Sequence, residues 1–86
     1  MKELKSVKTT TYDVGDGFFI DIVYFAIRWD TWIYHKDYDL KALMSTMDVE
    51  AGDFTAFERA QSWARSNVSD WKDDYRRAVI LMGEDD

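Results

Sequence analysis

A single histidine and several aspartates are the side chains best suited to chemistry in this chain. His35 is the only histidine, and Asp37 and Asp39 follow it closely enough to orient an imidazole that acts as a general base. The sequence has no cysteine, which excludes thiolate nucleophiles and disulfide bonds. A lone histidine among charged neighbours is typical of a solvated strand residue, so we predict no catalytic residues and a protein that is not an enzyme.

Two acidic segments have the composition of cation-binding loops. They read Asp13-x-x-Asp16-Gly and Asp48-x-Glu50-x-x-Asp53. Neither segment has the glycine at loop position 6 or the glutamate at position 12 that the twelve-residue calcium loop requires. A hairpin turn explains the first segment and a helix cap at Asp53 explains part of the second. We therefore predict no metal site and no other cofactor.

Asp21 interrupts the most apolar stretch of the chain, residues 18–28. A buried carboxylate without a partner is strongly unfavourable, because the protein interior solvates the charge poorly. We therefore predict that Asp21 forms a cross-strand ion pair, with Lys5, Lys8 or Arg28 as its partner.

The first part of the chain has the pattern of an antiparallel β-meander. The Asp16-Gly17 step lies between two β-prone runs and predicts a hairpin turn, since glycine tolerates a positive φ. Apolar residues on both faces of the second run indicate a central strand covered on both sides. The predicted strands are at about 3–12, 18–28 and 32–36, with turns at 14–17 and 29–31.

The second part of the chain has helical periodicity. Apolar residues 40, 43, 44 and 47 share one helical face, and Asp39 precedes them as the N-cap. A second helix is predicted at about 54–66, between Asp53 and Asn67. After Ser69 the spacing is again helical, but the apolar run 78–82 also suits a short strand, and both interpretations stay open.

The predicted fold class is therefore α+β, with a three-stranded antiparallel meander packed on two or three short helices. A chain of 86 residues corresponds to a single domain. Its predicted parts are the meander at about 3–36, the helical part at about 39–82 and a disordered acidic tail at 83–86.

Aromatic residues are concentrated between residues 18 and 38, where eight of them fall. Two short helices are too small to cover both faces of the sheet, so some of these rings should stay partly exposed. Tryptophan and tyrosine dominate binding hot spots. We predict contacts with a partner protein or a second copy of the chain, with core packing as the alternative, for Trp29, Trp32, Tyr34 and Tyr38.

The chain has a formal charge of -6, and most of it falls between residues 37 and 58. We predict that this acidic edge faces a basic surface of a partner protein, with a purely solvated edge as the alternative. The residues assigned to it are Asp48, Glu50, Asp53 and Glu58. Acidic and basic residues balance over residues 1–36. The sheet thus lacks the basic groove that nucleic acid requires, and nucleic acid is disfavoured as a ligand.

The chain has no apolar run of the length that a membrane span needs and no signal peptide at its N-terminus, so we predict a cytoplasmic protein. Its small size, acidity, dense aromatics and lack of cysteine and proline resemble phage and mobile-element inhibitors of host defence, of the anti-CRISPR and antirestriction type. The resemblance implies a non-catalytic module that binds a basic surface of a nucleic-acid-handling or defence complex in the host cytoplasm. The alternatives are a small accessory nucleic-acid-binding domain that uses an aromatic sheet face, or a homodimeric structural protein.

Overall fold

A computed structural model describes residues 8–25, 27–50 and 54–84 of the chain. Within these ranges the fold is α+β, as the sequence predicts, but it has four strands and one helix. The strands follow one another in the sheet in chain order, and each pair of neighbours is antiparallel. The elements are β1 (Lys8–Gly15), β2 (Phe18–Phe25), β3 (Arg28–His35), β4 (Lys41–Asp48) and α1 (Ala56–Glu84).

The first hairpin turn is where the sequence predicts it. Asp16 and Gly17 have φ angles of 58° and 82°, and two consecutive positive values define the tight turn that joins twisted antiparallel strands. β1 continues to Gly15 instead of ending near residue 12, with a bulge between Asp13 and Gly15. The predicted residues 3–7 of this strand lie outside the described ranges.

The predicted turn at 29–31 is wrong, because these residues lie inside β3. Trp29 and Thr31 stand opposite Tyr24 and Ile22 of β2, and both point into the core. A turn there would expose Trp29, but only 9% of this residue is accessible because it is buried in the core. β2 is an interior strand, as predicted, since β1 and β3 flank it. The predicted cover on both of its faces is absent from the described residues, because α1 packs on one face only.

The predicted helix at 40–47 is a strand, and a β-bulge explains the error. β4 pairs with β3, and the register shifts so that Leu43 and Ser45 stand opposite adjacent residues of β3. Met44 is therefore an extra residue, and the inward-facing set becomes Ala42, Met44 and Met47. The bulge thus puts Met44 and Met47, which are three residues apart, on one face as in a helix, whereas Leu43 of the predicted helical face points to the other side of the sheet.

The predicted helices after residue 53 are one continuous helix of 29 residues. Asn67 does not stop it, because the Asn67 side chain donates a 2.9 Å hydrogen bond to the Trp63 carbonyl oxygen within the helix. Residues 75–82, for which helix and strand were both open, are helical, and so are Gly83 and Glu84 of the predicted tail. A single buried stripe runs along the helix through Ala56, Ala60, Ala64, Trp71 and Tyr75.

The core lies between α1 and one face of the sheet. Phe18, Ile20 and Ile22 of β2 and Ile33 of β3 are almost completely buried there. Two side chains of α1 fix the helix to the sheet by hydrogen bonds to main-chain oxygens. The Tyr75 hydroxyl donates to the Leu40 carbonyl at 2.7 Å and the Lys72 ammonium donates to the Val14 carbonyl at 2.6 Å.

We expect Gly17→Ala to destabilise the protein by at least about 1–2 kcal/mol, the usual cost of a left-handed backbone for an L-residue. A Cβ at this position would also lie 2.7 Å from Nε2 of His35. Urea unfolding measures the change in the free energy of unfolding.

Gly83→Ala is the matched control, because a Cβ there meets no atom within 4 Å. Since alanine favours a helix over glycine, this variant should be unchanged or stabilised by up to about 1 kcal/mol. Equal stability of the two variants would contradict the assigned turn.

Candidate functional site

The sheet face that points away from α1 is the candidate functional site, and we call it the open face. No element of the described ranges covers it, because α1 packs only on the opposite face. Strand alternation and the register assign fifteen residues to it. They are Thr9, Thr11 and Asp13 of β1; Phe19, Asp21, Val23 and Phe25 of β2; Arg28, Asp30, Trp32 and Tyr34 of β3; and Lys41, Leu43, Thr46 and Asp48 of β4.

Asp21 is the centre of a polar cluster in the middle of the open face. Only 6% of the residue is exposed, although the face itself is uncovered. Its carboxylate accepts hydrogen bonds from the Thr11 hydroxyl at 2.7 Å and the Tyr34 hydroxyl at 3.1 Å. The Lys41 ammonium lies 2.9 Å from the other carboxylate oxygen. The predicted ion pair of Asp21 is therefore present, but its partner is Lys41 of β4 instead of Lys5, Lys8 or Arg28.

The environment of Asp21 favours the ionised carboxylate. Burial by itself would raise the pKa of Asp21, but the hydrogen bonds from Lys41 and Thr11 and the positive charge of Lys41 together lower this pKa below its ordinary value. The pKa of Tyr34 is raised by burial and by the negative charge of Asp21. Tyr34 therefore stays protonated and acts as a hydrogen-bond donor to Asp21.

Asp30 of the neighbouring strand β3 is the centre of a second cluster of similar construction. It is also 6% exposed, and the Arg28 guanidinium Nε lies 3.1 Å and 3.2 Å from its two oxygens. The Thr46 hydroxyl donates to the same carboxylate at 3.1 Å. The Arg28 guanidinium lies 5.3 Å from the centre of the Phe25 ring, within the range of a cation–π contact.

Aromatic and aliphatic side chains surround these charges. The Phe19 and Tyr34 rings stack with centroids 5.5 Å apart. The Lys41 ammonium lies 5.9 Å from the Trp32 ring centre and 5.3 Å from the Tyr34 ring centre. Leu43 is about half exposed. The open face thus combines accessible apolar surface with charges that already have partners.

The structure separates the four aromatic residues that the sequence assigned to one surface. Trp32 and Tyr34 lie on the open face, as part of the surface just described. Trp29 lies on the opposite face, where its ring contacts Tyr24 and Phe57 at centroid distances of 4.9 Å and 5.1 Å, so core packing, the alternative interpretation, describes this residue. Tyr38 is half exposed in the turn between β3 and β4, against His35.

Three of the four residues of the predicted acidic edge lie within the described ranges, and all three are exposed. Asp48 is the last residue of β4, stands opposite Arg28 and lies at the end of the sheet remote from the Asp16 turn. Glu50 follows β4, and Glu58 lies in the first turn of α1. Asp53 lies outside the described residues.

His35 has a structural role in the main-chain connections. The Asp37 amide donates to its Nδ1 at 3.1 Å, so Nε2 carries the proton and donates to the Asp16 carbonyl oxygen at 2.9 Å. The two ring nitrogens therefore bond to main-chain groups of two different turns. A cavity of about 290 Å³ lies beside the ring, between the turns and Tyr75, Val79 and Ile80 of α1.

Sequence reasoning missed Lys41, Phe19, Leu43 and Thr11 as members of the site. Residues 41–44 read Lys-Ala-Leu-Met and lack the alternation of polar and apolar residues that indicates a strand with one buried face. No local signal in this segment therefore placed Lys41 and Leu43 on one face.

Comparison with protein-family models, with curated proteins and with solved structures finds no match to this chain. Among the residues that the structure describes, no helix combines the length and apolarity needed to cross a membrane. The same residues contain no group of three or more side chains placed to hold a metal ion.

We expect the stability of the protein to fall on acidification because of Asp21. Its folded-state pKa lies below the ordinary value of 3.8, so the carboxylate stabilises the fold above that pH, and this stability is lost as the pH falls through the folded-state pKa. Asp21→Asn should remove this part of the pH dependence and cost about 1–3 kcal/mol at pH 7, since charge-assisted hydrogen bonds are lost.

Denaturant unfolding at pH 7, 5, 4 and 3 measures both effects. Asp74→Asn is the control, because the Asp74 carboxylate is half exposed and its ion pair with Arg77 is a surface contact of little value. An Asp21→Asn protein with the stability and acid sensitivity of Asp74→Asn would contradict this account of the cluster.

Proposed function

We propose that this chain is a non-catalytic protein-binding module whose recognition surface is the open face. The observation that supports the proposal most directly is the uncovered sheet face with Trp32, Tyr34, Phe19 and Leu43 arranged around two paired carboxylates. Aromatic rings with polar tips supply large contact area at low entropic cost, and such residues dominate protein interfaces.

The charge of the open face favours a basic partner. The face has four aspartates against Arg28 and Lys41, which leaves two excess negative charges. Asp48 at its end adjoins the exposed Glu50, which extends the negative field past the sheet. Complementary fields raise the association rate and select against partners of the same sign.

The same charge disfavours the alternative of a nucleic-acid-binding domain. Sheets that bind single strands stack bases on aromatic rings inside a basic groove that neutralises the phosphates. The rings are present on the open face, but its two cations are already paired with Asp21 and Asp30. A phosphate chain would therefore meet a surface of its own sign.

A basic protein surface that normally holds nucleic acid is a partner of the required chemistry. Together with the compositional resemblance to small phage inhibitors, this leads us to propose an inhibitor of a host nucleic-acid-handling or defence complex, acting in the host cytoplasm. The acidic residues Asp48, Glu50 and Glu58, with Asp53, would meet lysines and arginines of that target. A homodimer through the same face is the competing assembly.

We expect Trp32→Ala and Tyr34→Ala each to weaken capture of the partner by about 30-fold or more, the usual loss at a hot spot of about 2 kcal/mol. The measurement is affinity capture from a lysate of the source cells, followed by titration of the captured protein.

Trp63→Ala is the matched control, because Trp63 is half exposed on α1 and hence away from the open face. Equal losses for Trp63→Ala and Trp32→Ala would contradict the assignment of the surface. Analytical ultracentrifugation of the free protein tests the homodimer. We expect a single species of monomer mass at every protein concentration.

Charge reversal tests the acidic residues separately. The double variant Asp48→Lys, Glu50→Lys should slow association with the partner at low salt and flatten its salt dependence, since steering acts over a Debye length of about 10 Å at 0.1 M. Asp70→Lys with Asp74→Lys is the control of equal charge change, placed on α1. An unchanged association rate for the first variant at low salt would show that the acidic residues do not contribute.

A further inference from the structure

The two buried carboxylates of the open face are constructed in the same way. Asp21 and Asp30 are both 6% exposed, and each accepts a hydrogen bond from a threonine hydroxyl on the adjacent outer strand, Thr11 of β1 for Asp21 and Thr46 of β4 for Asp30. Each carboxylate binds a basic side chain that is about half exposed, at 50% for Lys41 and 46% for Arg28. In both cases the cation also lies over an aromatic ring. This repeated arrangement is that of a site for a cation.

In the Asp21 site the carboxylate is held from two strands, whereas the cation is at the end of a long side chain on an outer strand. Asp21 lies on an interior strand, and Thr11 and Tyr34 hold it from the strands on both sides. Lys41 is the first residue of the outermost strand β4. Its long, flexible stem lets the ammonium move into solvent without displacing the backbone, whereas the carboxylate cannot follow.

We propose that Asp21 and the rings of Trp32 and Tyr34 form a receptor for a lysine side chain of the partner, and that Lys41 is the internal occupant which this lysine displaces. The proposal rests on the proposed function, because it specifies the chemistry of the partner at the same face. The ring distances of 5.3 Å and 5.9 Å fit an ammonium in this position.

Exchange of one ammonium for another keeps the buried carboxylate paired. Docking of a neutral side chain in place of Lys41 would leave the Asp21 charge buried without a partner, which is strongly unfavourable. The site therefore selects for a lysine at the centre of the partner surface, and the displaced Lys41 becomes free to bind an acidic group at the rim.

Binding of n-butylammonium chloride to the Lys41→Ala protein tests the receptor. The readout is the indole N–H resonance of Trp32 in a two-dimensional NMR spectrum, assigned by comparison with Trp32→Phe. We expect a saturable shift in Lys41→Ala, and affinity at least about tenfold weaker in the wild type, where Lys41 competes for the carboxylate.

Two controls and the comparison with the wild type decide the result. n-Butanol, which has the same chain length without the charge, should give no saturable shift. n-Butylammonium should also give no saturable shift with the double variant Lys41→Ala, Asp21→Asn. Equal affinity in wild type and Lys41→Ala, binding that survives Asp21→Asn, or an equal shift with n-butanol would each overturn the proposal. If Lys41→Ala does not fold, Lys41→Gln and displacement of the Lys41 ammonium signal in the wild type provide the same test.

The ammonium-binding experiment and the partner-capture experiment can fail independently of each other. If n-butylammonium does not bind while Trp32→Ala still abolishes capture of a protein partner, the lysine receptor is wrong and the protein-binding function stands. Saturable ammonium binding in a protein for which no partner depends on Trp32 or Tyr34 supports the cation site and overturns the protein-binding function.

Discussion

One helix can cover only one face of a four-stranded sheet, and the rest of the structure follows from this constraint. α1 uses alanines at 56, 60 and 64 to lie close to the sheet, and Trp71 and Tyr75 complete the core at its other end. The second face has no helix to bury it within the described part of the chain. Its side chains must therefore be stable in contact with water and still hold the strands in register.

An ion pair and hydrogen bonds across strands meet both requirements on the open face. Lys41 forms an ion pair with Asp21 of β2 over the intervening β3, and the Thr46 hydroxyl of β4 donates a hydrogen bond to Asp30 of β3. These contacts join strands of the sheet without closing the face to a partner, because the apolar rings between them stay partly accessible. Because both carboxylates are buried, a group that took the place of Lys41 or Arg28 would have to supply a positive charge.

Local signals in the sequence predict the parts of the fold that depend on local chemistry. The Asp16-Gly17 step identifies the first turn because the turn needs positive φ. The apolar strand around Asp21 predicts that this carboxylate is paired with a cation. The partner of Asp21 was not predictable, since the apolar residues 40, 43, 44 and 47 have the spacing of a helix and the bulge at Met44 interrupts the strand alternation that would have placed Lys41 on the sheet. The predicted helix end at Asn67 was wrong for a different reason, because the Asn67 side chain forms a hydrogen bond within the helix and the helix continues.

The sequence also predicts exposed aromatics but not which ones. Trp29 and Trp32 differ by three residues, and strand alternation puts them on opposite faces once β3 starts at Arg28. With the turn expected at 29–31, no register was available to separate them. The candidate site is therefore a property of the sheet pairing, which becomes visible only when β3 and β4 are aligned.

Paramagnetic relaxation by a neutral soluble gadolinium chelate measures directly whether the open face is accessible in the free protein. We expect strong line broadening of the Trp32 indole and the Leu43 methyl resonances, and little broadening of the Trp29 indole, which packs under α1. Protection of Trp32 and Leu43 equal to that of Trp29 in dilute solution would contradict an open face, because it would show that the face is already covered.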